Sequence, residues 1–527
     1  MAVEPPTVGG AGGEATTARH PKPSVQSSGA ATGLALLGAA AATLANFGIA
    51  VGLTRQGASL AGVFFAATAV VAILGNTAGL GTMTGLVYFM PTCLGCNDPS
   101  PRSLLRHAAI PVGIAGSLAG ITMAVLADPI ASVVTPSRAD EAATMLRLTA
   151  IAVPAWALTT TFLGATRGLG SMTPTVAINQ VFKPIGQLVG VALLLLLPAE
   201  PSVAALGVAW AWPIVAASFL AFVAVWRSGG LSGGSDRPVS SGEFWRYTRP
   251  RAVATGLQIA LERVDVILVS AFAGEAAAGI YGAITRFITA GNFMIHAIGQ
   301  ATSPGLRRAI SSEGLVTAQR LLHQATGWMV LVAWPYLLFV AMNAGGLVTL
   351  LSPELAETTS ESTLFSESTL FFESTVALSI LALVLLSHAA TGPIDLALLM
   401  LGRSRASLAI AAVALAADVA LAIALIPRFG LIGAALGWAA AVLIQNISAA
   451  VLVERLGRLR PFGRAAMVAA IGAVVAVVPV SLSTPAGTNG LAYTAVASTA
   501  IYGLWLAMFT DTIELRPLLP TNLRRSP

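Results

Sequence analysis

The fold of this chain is decided by residues 250–308, which read PRAVATGLQIALERVDVILVSAFAGEAAAGIYGAITRFITAGNFMIHAIGQATSPGLRR. The stretch is apolar enough to cross a membrane twice, with a turn at Gly274-Glu275, yet it carries charged residues. Glu262 lies about 12 residues before that turn and Arg286 about 11 after it, so both lie about 17 Å from one surface. That depth is close to the midplane of a hydrocarbon core about 30 Å thick. The sequence therefore predicts a helical hairpin with charges at membrane depth.

Each helix of the predicted hairpin carries a polar face, because its polar residues recur at helical spacing. The polar residues are Thr255, Gln258, Glu262 and Asp265 on the first helix and Thr285, Thr289, Asn292 and His296 on the second. A lone charge at the bilayer centre costs about 2.5 to 3.5 kcal/mol on the insertion scale, so such charges need partners or water. We therefore expect both faces to look into an aqueous cavity.

The composition predicts an all-α polytopic membrane protein. Hydrophobic residues make up 56% of the 527 residues and charged residues 10%, and the mean hydropathy is +0.80, which excludes a soluble globular domain. About 14 apolar segments are long enough to cross a bilayer with some tilt. They lie near 29–54, 59–90, 107–134, 143–166, 175–198, 202–226, 252–273, 276–301, 324–351, 375–400, 406–427, 430–453, 465–483 and 488–510.

The basic residues predict the topology. Twenty-two of the 29 Lys and Arg residues fall in loops on one side, and the other side has only Arg55, Arg138, Arg147 and Arg428. The remaining three, Lys183, Arg263 and Arg286, lie inside apolar segments. The positive-inside rule then places both termini in the cytoplasm of a protein of the cell membrane. Because the net charge of +6 is spread over short loops, a nucleic-acid partner is not expected.

The order of apolar and polar segments predicts the domain organisation. The loop at 352–374, which repeats SESTLF, is predicted to be solvated and acidic without a fold of its own, with a short external helix as the alternative. The expected units are a disordered cytoplasmic tail at 1–28, an N-terminal six-helix lobe at 29–226, a cytoplasmic linker at 227–249, a C-terminal six-helix lobe at 250–454, two extra transmembrane helices at 465–510 and a cytoplasmic tail at 511–527.

The two halves of the chain repeat each other. The segment Gly57–Phe64 matches Gly274–Tyr281, and Leu169-Gly170 matches Leu401-Gly402. Each half has an even number of helices, so both insert with the same orientation and are related by an axis along the membrane normal. The sequence predicts two parallel six-helix lobes around a central cavity, followed by two C-terminal helices.

Several of these residues carry a resemblance to a known family. The motifs are Glu262-Arg-Val-Asp265, Gly279-Ile-Tyr281, Arg286, Pro304 and the run from Ile426 to Ala435. They resemble the polysaccharide (O-antigen type, lipid-linked oligosaccharide) flippases of the multidrug/oligosaccharidyl-lipid/polysaccharide (MOP) exporter superfamily, over most of residues 29–510. The resemblance implies two six-helix lobes that move lipid-pyrophosphate-linked glycans to the outer leaflet. The first lobe lacks the cluster of membrane arginines expected in the lipid II branch.

The membrane-embedded cations are the candidate ligands of a substrate pyrophosphate. Arg286 and Arg263 suit bidentate contacts with phosphate, and Lys183 suits a point-charge contact from the other lobe. Two structural alternatives stay open at this stage. Arg286 could instead neutralise Glu262 or Asp265, and the amine of Lys183 could extend toward an interface.

A second set of residues consists of candidates for proton or sodium coupling and for polar cavity lining. Carboxylates and imidazoles at membrane depth can bind and release cations as access alternates. The candidates are Glu262, Asp265, Asp395, Asp418, His296, His388, Gln258 and Asn292. Their structural alternative is polar contact between helices.

The sequence offers no motif for catalysis. It contains no catalytic triad or phosphate loop, and Cys93-Leu-Gly-Cys96 without a second pair is a weak metal signal. We therefore expect no cofactor, no metal and no enzymatic reaction. The leading hypothesis is a lipid-linked glycan flippase working by alternating access. The alternatives are a small-molecule or multidrug antiporter of the same superfamily and a membrane glycan polymerase or ligase, although the latter usually has a large outer loop bearing Arg or His.

Overall fold

The computed structural model describes residues 25–91, 101–198, 201–229, 241–310, 314–353, 364–484 and 488–509, and all regular structure in these residues is helical. The predicted tail at 511–527, residues 1–24 of the predicted tail at 1–28, and the pair Cys93 and Cys96 lie outside the described residues.

The first half of the chain forms six membrane segments, several of which are broken into two helices. They are α1 (Val25–Gln56), α2 (Ala58–Ala78) with α3 (Thr82–Phe89), α4 (Pro101–Val125) with α5 (Ala127–Val134), α6 (Ala139–Thr149) with α7 (Ala152–Gly168), a π-helix (Thr175–Phe182) with α8 (Lys183–Leu195), and α9 (Val203–Arg227).

The second half repeats this plan and adds two helices. Its elements are α10 (Ser241–Ala273), α11 (Glu275–Arg308), α12 (Leu315–Met342) with α13 (Ala344–Leu351), α14 (Leu364–Thr391) with α15 (Ile394–Met400), α16 (Ser404–Gly457), α17 (Arg464–Ser483) and α18 (Thr488–Met508). The helix α16 is two helices that meet at Gly430, which has φ 52°.

The predicted number of spans is confirmed. Among the described residues, nine helices are long and apolar enough to cross a membrane, and the bent pair α6 and α7 makes a tenth. One of the nine, α16, supplies two spans because of its kink. The helices α1, α10 and α11 have 32, 33 and 34 residues, which is also sufficient. The result is about 14 spans, arranged as two parallel six-helix lobes with α17 and α18 appended.

Two of the predicted continuous segments are broken by residues with positive φ. Between α2 and α3, Leu80 has φ 49° and Gly81 φ 67°. Between α14 and α15, Gly392 has φ 64°, and Pro393 follows it without a backbone N–H to continue the helix. Broken membrane helices occur where the freed backbone is buried in protein or lines a cavity.

Of the two alternatives for residues 352–374, a solvated loop or a short helix, the second part of the segment is helical. The helix α14 begins at Leu364 and already contains Glu373. The Glu373 carboxylate accepts a hydrogen bond of 3.0 Å from the backbone N–H of Leu431, one of the donors left free by the kink at Gly430. The acidic residue therefore caps the second half of α16. The sequence pattern did not predict this role, because Glu373 and Leu431 are 58 positions apart in the chain.

The helix α10 begins inside the segment predicted as a linker. Its first turns pack on the N-terminal lobe, where Phe244 is fully buried in a cluster with Leu86, Leu104 and Val225. The same side of the molecule also carries Arg102, Arg106, Arg227 and Arg246, and we call it the basic side. We call the other side of the molecule the opposite side.

The internal repeat is confirmed by matching turns. Gly170 has φ 92° and Gly402 φ 76°, each just after a helix. In the first turn the Ser171 N–H donates to Thr166 O at 3.0 Å, and in the second the Arg403 N–H donates to Leu398 O at 3.2 Å. Both are the six-to-one bond of a Schellman motif, which requires a residue in the left-handed region.

The lobes meet on the opposite side at a crossing of α2 and α11. A β-carbon added at Gly62 would overlap the carbonyl oxygen of Glu275, and one added at Gly279 would overlap that of Ala58. These two contacts are equivalent under the repeat. Near the crossing, the hydroxyl of Thr54 donates to Leu351 O at 3.1 Å. The crossing closes the opposite side because only glycine permits such an approach of two helices.

We expect Gly279→Ala to lower the apparent melting temperature of the purified protein. The added methyl group forces α2 and α11 apart, and overpacking of this kind costs about 1 to 3 kcal/mol. The matched control is Gly503→Ala, where nothing lies within 4 Å of the added β-carbon and the melting temperature should stay equal or rise slightly. Thermal unfolding in detergent checks the prediction, and equal melting temperatures in both variants would contradict it.

Candidate functional site

A cavity of about 200 Å³ lies between the two lobes, and we call it the central cavity. The N-terminal lobe supplies most of its wall, and Arg263 and Arg286 enter from the C-terminal lobe. The lining side chains are Ala42, Asn46, Ile49, Phe64, Phe65, Thr68, Ala72, Trp156, Asn179, Lys183, Pro184, Gln187, Trp210, Arg263 and Arg286. The three cations singled out from the sequence therefore line one cavity.

Two of the three cations of the central cavity lie against aromatic rings. The amine of Lys183 lies 4.3 Å from the centroid of a Trp156 ring, and the guanidinium of Arg286 lies 5.1 Å from that of Phe65. The Nε atom of Arg286 is buried and has no hydrogen-bond partner. Within the described part of the chain, no carboxylate lies within 4 Å of Arg263, Arg286 or Lys183. Asp265 interacts electrostatically with Arg263 and Arg286 but forms no salt bridge with either. The cavity is therefore lined by three basic side chains that have no direct ion pair in the described residues.

The position of Lys183 depends on a local change of helix type. Residues Thr175–Phe182 form a π-helix, and an α-helix continues from Lys183. Pro184 contributes to this change because it has no backbone N–H to complete an α-helical turn. One turn after Lys183, the side-chain amide of Gln187 donates to Trp210 O at 3.1 Å. Lys183 therefore lines the central cavity, and its amine does not extend to a membrane interface, which was the structural alternative.

Asn179 and Gln187, one turn on either side of Lys183, were expected beside it, but the tryptophan lining and Asn46 were not singled out from the sequence. Trp156 and Trp210 have ring centroids 6.1 Å apart and form one wall of the cavity, with Asn46 on α1 nearby. The sequence did contain a signal for the two tryptophans. Tryptophan in membrane proteins is enriched at the interfaces, whereas both of these residues lie well inside their predicted segments, which is unusual. Their partners, however, are on other helices and are not visible in the chain order.

The carboxylates of α10 occupy two different environments. Glu262 is exposed and does not line the central cavity, and its nearest polar contact is the amide of Gln258 at 3.5 Å. Asp265 is buried in the C-terminal lobe, where it accepts hydrogen bonds from the Tyr281 hydroxyl at 3.0 Å and from the Val266 N–H at 2.8 Å. The expected single aqueous face is therefore wrong for Asp265, because the helix turns this carboxylate toward α11.

Asp418 is the most enclosed acidic residue of the candidate set. It lies on the first half of α16, its exposure is 0%, and neither carboxylate oxygen has a hydrogen-bond partner in the described residues. It is close enough to Asp265 for the two carboxylates to repel each other, and it also interacts electrostatically with Tyr281. An unpaired buried carboxylate is costly, so this pair needs a proton or another cation.

His296, His388 and Asp395 form a third group, nearer the basic side. The two imidazole rings are 6.4 Å apart, and Asp395 interacts with His388 from the first turn of α15. The Nδ1 atom of His388 lies 2.8 Å from the Oδ1 atom of Asn446, a partner that sequence analysis missed. Asp395 follows the break at Gly392 and lies seven residues after His388, a spacing that also places the two residues on one face of a continuous helix.

The described residues show no preformed metal site. Among them, no three or more His, Cys, Asp or Glu side chains are grouped so that they could hold a metal ion. Asn292, the remaining candidate, has a buried side-chain oxygen without a hydrogen-bond partner. The arrangement as a whole brings three basic side chains together between the lobes and places two carboxylates, Asp265 and Asp418, within one lobe.

Solved structures with the same fold are transporters of the MOP superfamily. The lipid II flippase MurJ, in an inward closed conformation, matches with a TM-score of 0.66 and 11% identity over 90% of this chain and 99% of its own. An inward-facing multidrug resistance MATE family transporter of the MOP superfamily has a TM-score of 0.59 and 16% identity, covering 79% of this chain and 95% of its own.

A third similar structure is a MOP superfamily transporter from Pyrococcus furiosus, with a TM-score of 0.54 and 16% identity over 81% of this chain and 93% of its own. No protein-family model and no curated protein sequence matches the chain. The likeness confirms the predicted fold class. Membership of the superfamily, the branch within it and the roles of the site residues stay predictions.

We expect Tyr281→Phe to destabilise the protein, because it removes the hydroxyl that donates to the buried Asp265. Leaving a buried acceptor without this hydrogen bond costs about 1 to 3 kcal/mol. The control is Tyr493→Phe, since Tyr493 is 63% exposed. Thermal unfolding in detergent measures both variants, and a Tyr281→Phe protein that melts like the control would contradict the assigned contact.

Proposed function

We propose that this protein is a membrane transporter that flips a lipid-pyrophosphate-linked oligosaccharide from the cytoplasmic to the outer leaflet of the cell membrane, for the synthesis of a cell-surface polysaccharide. The observation that carries the proposal is the central cavity, where Lys183, Arg263 and Arg286 converge from both lobes without a carboxylate partner among the described residues. Such a cavity attracts an anion and repels a cationic drug.

The chemistry of the three cations fits a pyrophosphate. Each guanidinium can donate two parallel hydrogen bonds to phosphate oxygens, and the amine adds a compact charge. The buried and unpartnered Nε of Arg286 is a donor available to such a ligand. The cation pair from α10 and α11 and the single cation from α8 would hold the head group between the lobes.

The size of the cavity indicates that binding requires a change of conformation. About 200 Å³ corresponds to about seven water molecules at liquid density, which is less than a pyrophosphate with an attached sugar needs. The opposite side is closed by the glycine crossing. Toward the basic side, a β-carbon added at Gly81 would lie 2.7 Å from Ala252 N, so α10 packs closely on the N-terminal lobe there. Transport by alternating access would open one side at a time.

We expect Arg263→Ala and Arg286→Ala to reduce flipping about 10-fold or more, because each removes charge-assisted hydrogen bonds to phosphate. The measurement follows lipid-linked glycans by mass spectrometry in cells that carry each variant, together with an assay of the leaflet that holds them. A completed repeat unit should accumulate in the cytoplasmic leaflet while protein levels stay near normal.

The matched control for this experiment is Arg428→Ala, an exposed arginine at the kink of α16. It should transport at the rate of the original protein. Full transport in both cavity variants would remove the proposed head-group site. If lipid-linked glycans are unchanged when the protein is absent, while sensitivity to toxic compounds rises, the antiporter alternative replaces the flippase.

The proposal includes coupling to a cation at the acidic pair of the C-terminal lobe. Asp418 and Asp265 repel each other, and both oxygens of Asp418 have no partner in the described residues. Binding of Na⁺ or a proton between α10 and α16 would relieve this repulsion. Because α10 also carries Arg263, occupancy of the pair can act on the same helix that contributes to the central cavity.

We expect Asp418→Asn to abolish a cation dependence of stability. The apparent melting temperature of the original protein should rise when NaCl replaces choline chloride, and the variant should melt higher without Na⁺ because it buries no unpaired charge. If the ion is a proton, the original protein loses stability as pH rises, since the buried carboxylate must then ionise.

The control for this measurement is Asp140→Asn, an exposed residue in the first turn of α6, which should keep the cation dependence. Identical responses of the original protein and Asp418→Asn to both Na⁺ and pH would contradict coupling at this pair.

A further inference from the structure

A second cavity, larger and more open than the central one, lies on the basic side between the start of α4 and the first turns of α10. We call it the basic-side cavity, and its volume is about 820 Å³. Its lining includes Arg102, Arg106, His107, Ile110, Ser241 and Trp245. It shares no lining residue with the central cavity, and nothing in the proposed transport cycle uses it.

The polar part of the basic-side cavity is suited to an anion. Arg102 and Arg106 are one helical turn apart on α4 and both are exposed, so they can approach one ligand together. No acidic residue is among its lining side chains in the described part of the chain. Glu243, on the first turn of α10, is exposed and does not line it. Phosphate oxygens are the natural partners of two adjacent guanidinium groups.

An apolar ridge continues from the cavity along α4. Its members recur at helical spacing and are exposed by 50%, 57%, 60% and 61%: Ile110, Ile114, Leu118 and Ile121. On a membrane helix such a ridge faces acyl chains. Trp245, on the other wall, is the residue type that prefers the level of the head groups. A ligand that fits both parts therefore has a phosphate at one end and long apolar chains at the other.

We propose that the basic-side cavity binds the phosphate head group of an anionic glycerophospholipid, whose acyl chains lie along the ridge from Ile110 to Ile121. This lipid is a constituent of the surrounding membrane and is not transported. The assignment does not depend on the identity of the transported substrate. Arg102 and Arg106 differ from the other arginines of the basic side in two respects. They line a concave site, and a second helix, α10, completes that site.

The bound lipid would act on the junction of the lobes, because α10 belongs to both. Its first turns are fixed to the N-terminal lobe, where the ring of Tyr247 stacks on that of Tyr88 at 4.5 Å. Farther along, Leu261 packs against Ala414 and Ala441 in the C-terminal lobe. A lipid held between α4 and the start of α10 would therefore strengthen the first of these two attachments.

Native mass spectrometry of the purified full chain tests the site. The protein is titrated with phosphatidylglycerol, with phosphatidylcholine of the same chain length, and with phosphatidylglycerol in the presence of inorganic phosphate. We expect Arg102→Gln/Arg106→Gln to bind phosphatidylglycerol about 30-fold more weakly, as the loss of two juxtamembrane charges predicts. Phosphatidylcholine should bind weakly to both proteins.

The matched control is Arg403→Gln/Arg405→Gln, which removes two exposed arginines where α16 begins. It should bind phosphatidylglycerol like the original protein. Equal losses in the two double variants would show diffuse attraction to a basic surface and overturn the site. Equal affinity for phosphatidylcholine would overturn the requirement for an anionic head group. Displacement of the lipid by millimolar inorganic phosphate would assign the cavity to a free anion and overturn the lipid.

Discussion

A charge inside hydrocarbon needs a partner or water, and the arrangement of this protein follows from that constraint. The chain meets it in two ways. Asp265 accepts hydrogen bonds from Tyr281 and Val266 inside the C-terminal lobe. Lys183 and Arg286 lie against aromatic rings in a cavity where neither forms a salt bridge with a described carboxylate. The first solution belongs to packing within a lobe, and the second places basic side chains between the lobes.

The boundary between the lobes is set by close approach of backbone. At the crossing of α2 and α11, glycine at both repeat-related positions lets each helix contact a carbonyl of the other. Such contacts are short-ranged, and a gap of about 1 Å already removes up to about half of their attraction. They therefore define one close-packed arrangement of the two lobes. The helix α10 is the exception to this division, because it packs on both lobes, and both the head-group cations and the basic-side cavity involve it.

The acidic pair and the cationic cavity are on opposite faces of that same helix. Arg263 faces the N-terminal lobe, whereas Asp265, two residues later, faces α11 and α16. The proposed cation pair and the proposed head-group cations are therefore two residues apart on one helix, which is the physical basis on which we propose that they are coupled.

The sequence by itself determined the number of spans, the hairpin of α10 and α11, the repeat and the set of membrane-embedded cations. These follow from composition, periodicity and matching segments, which are local or additive properties of the chain. Only the tertiary structure decided that Lys183 joins Arg263 and Arg286, that Asp265 leaves the polar face for Tyr281, and that Glu373 caps the second half of α16. It also revealed Trp156 as part of the cavity wall and Asn446 as the partner of His388. Each of these depends on which helices become neighbours, and that is fixed by packing between residues far apart in the chain, which periodicity along one helix does not encode.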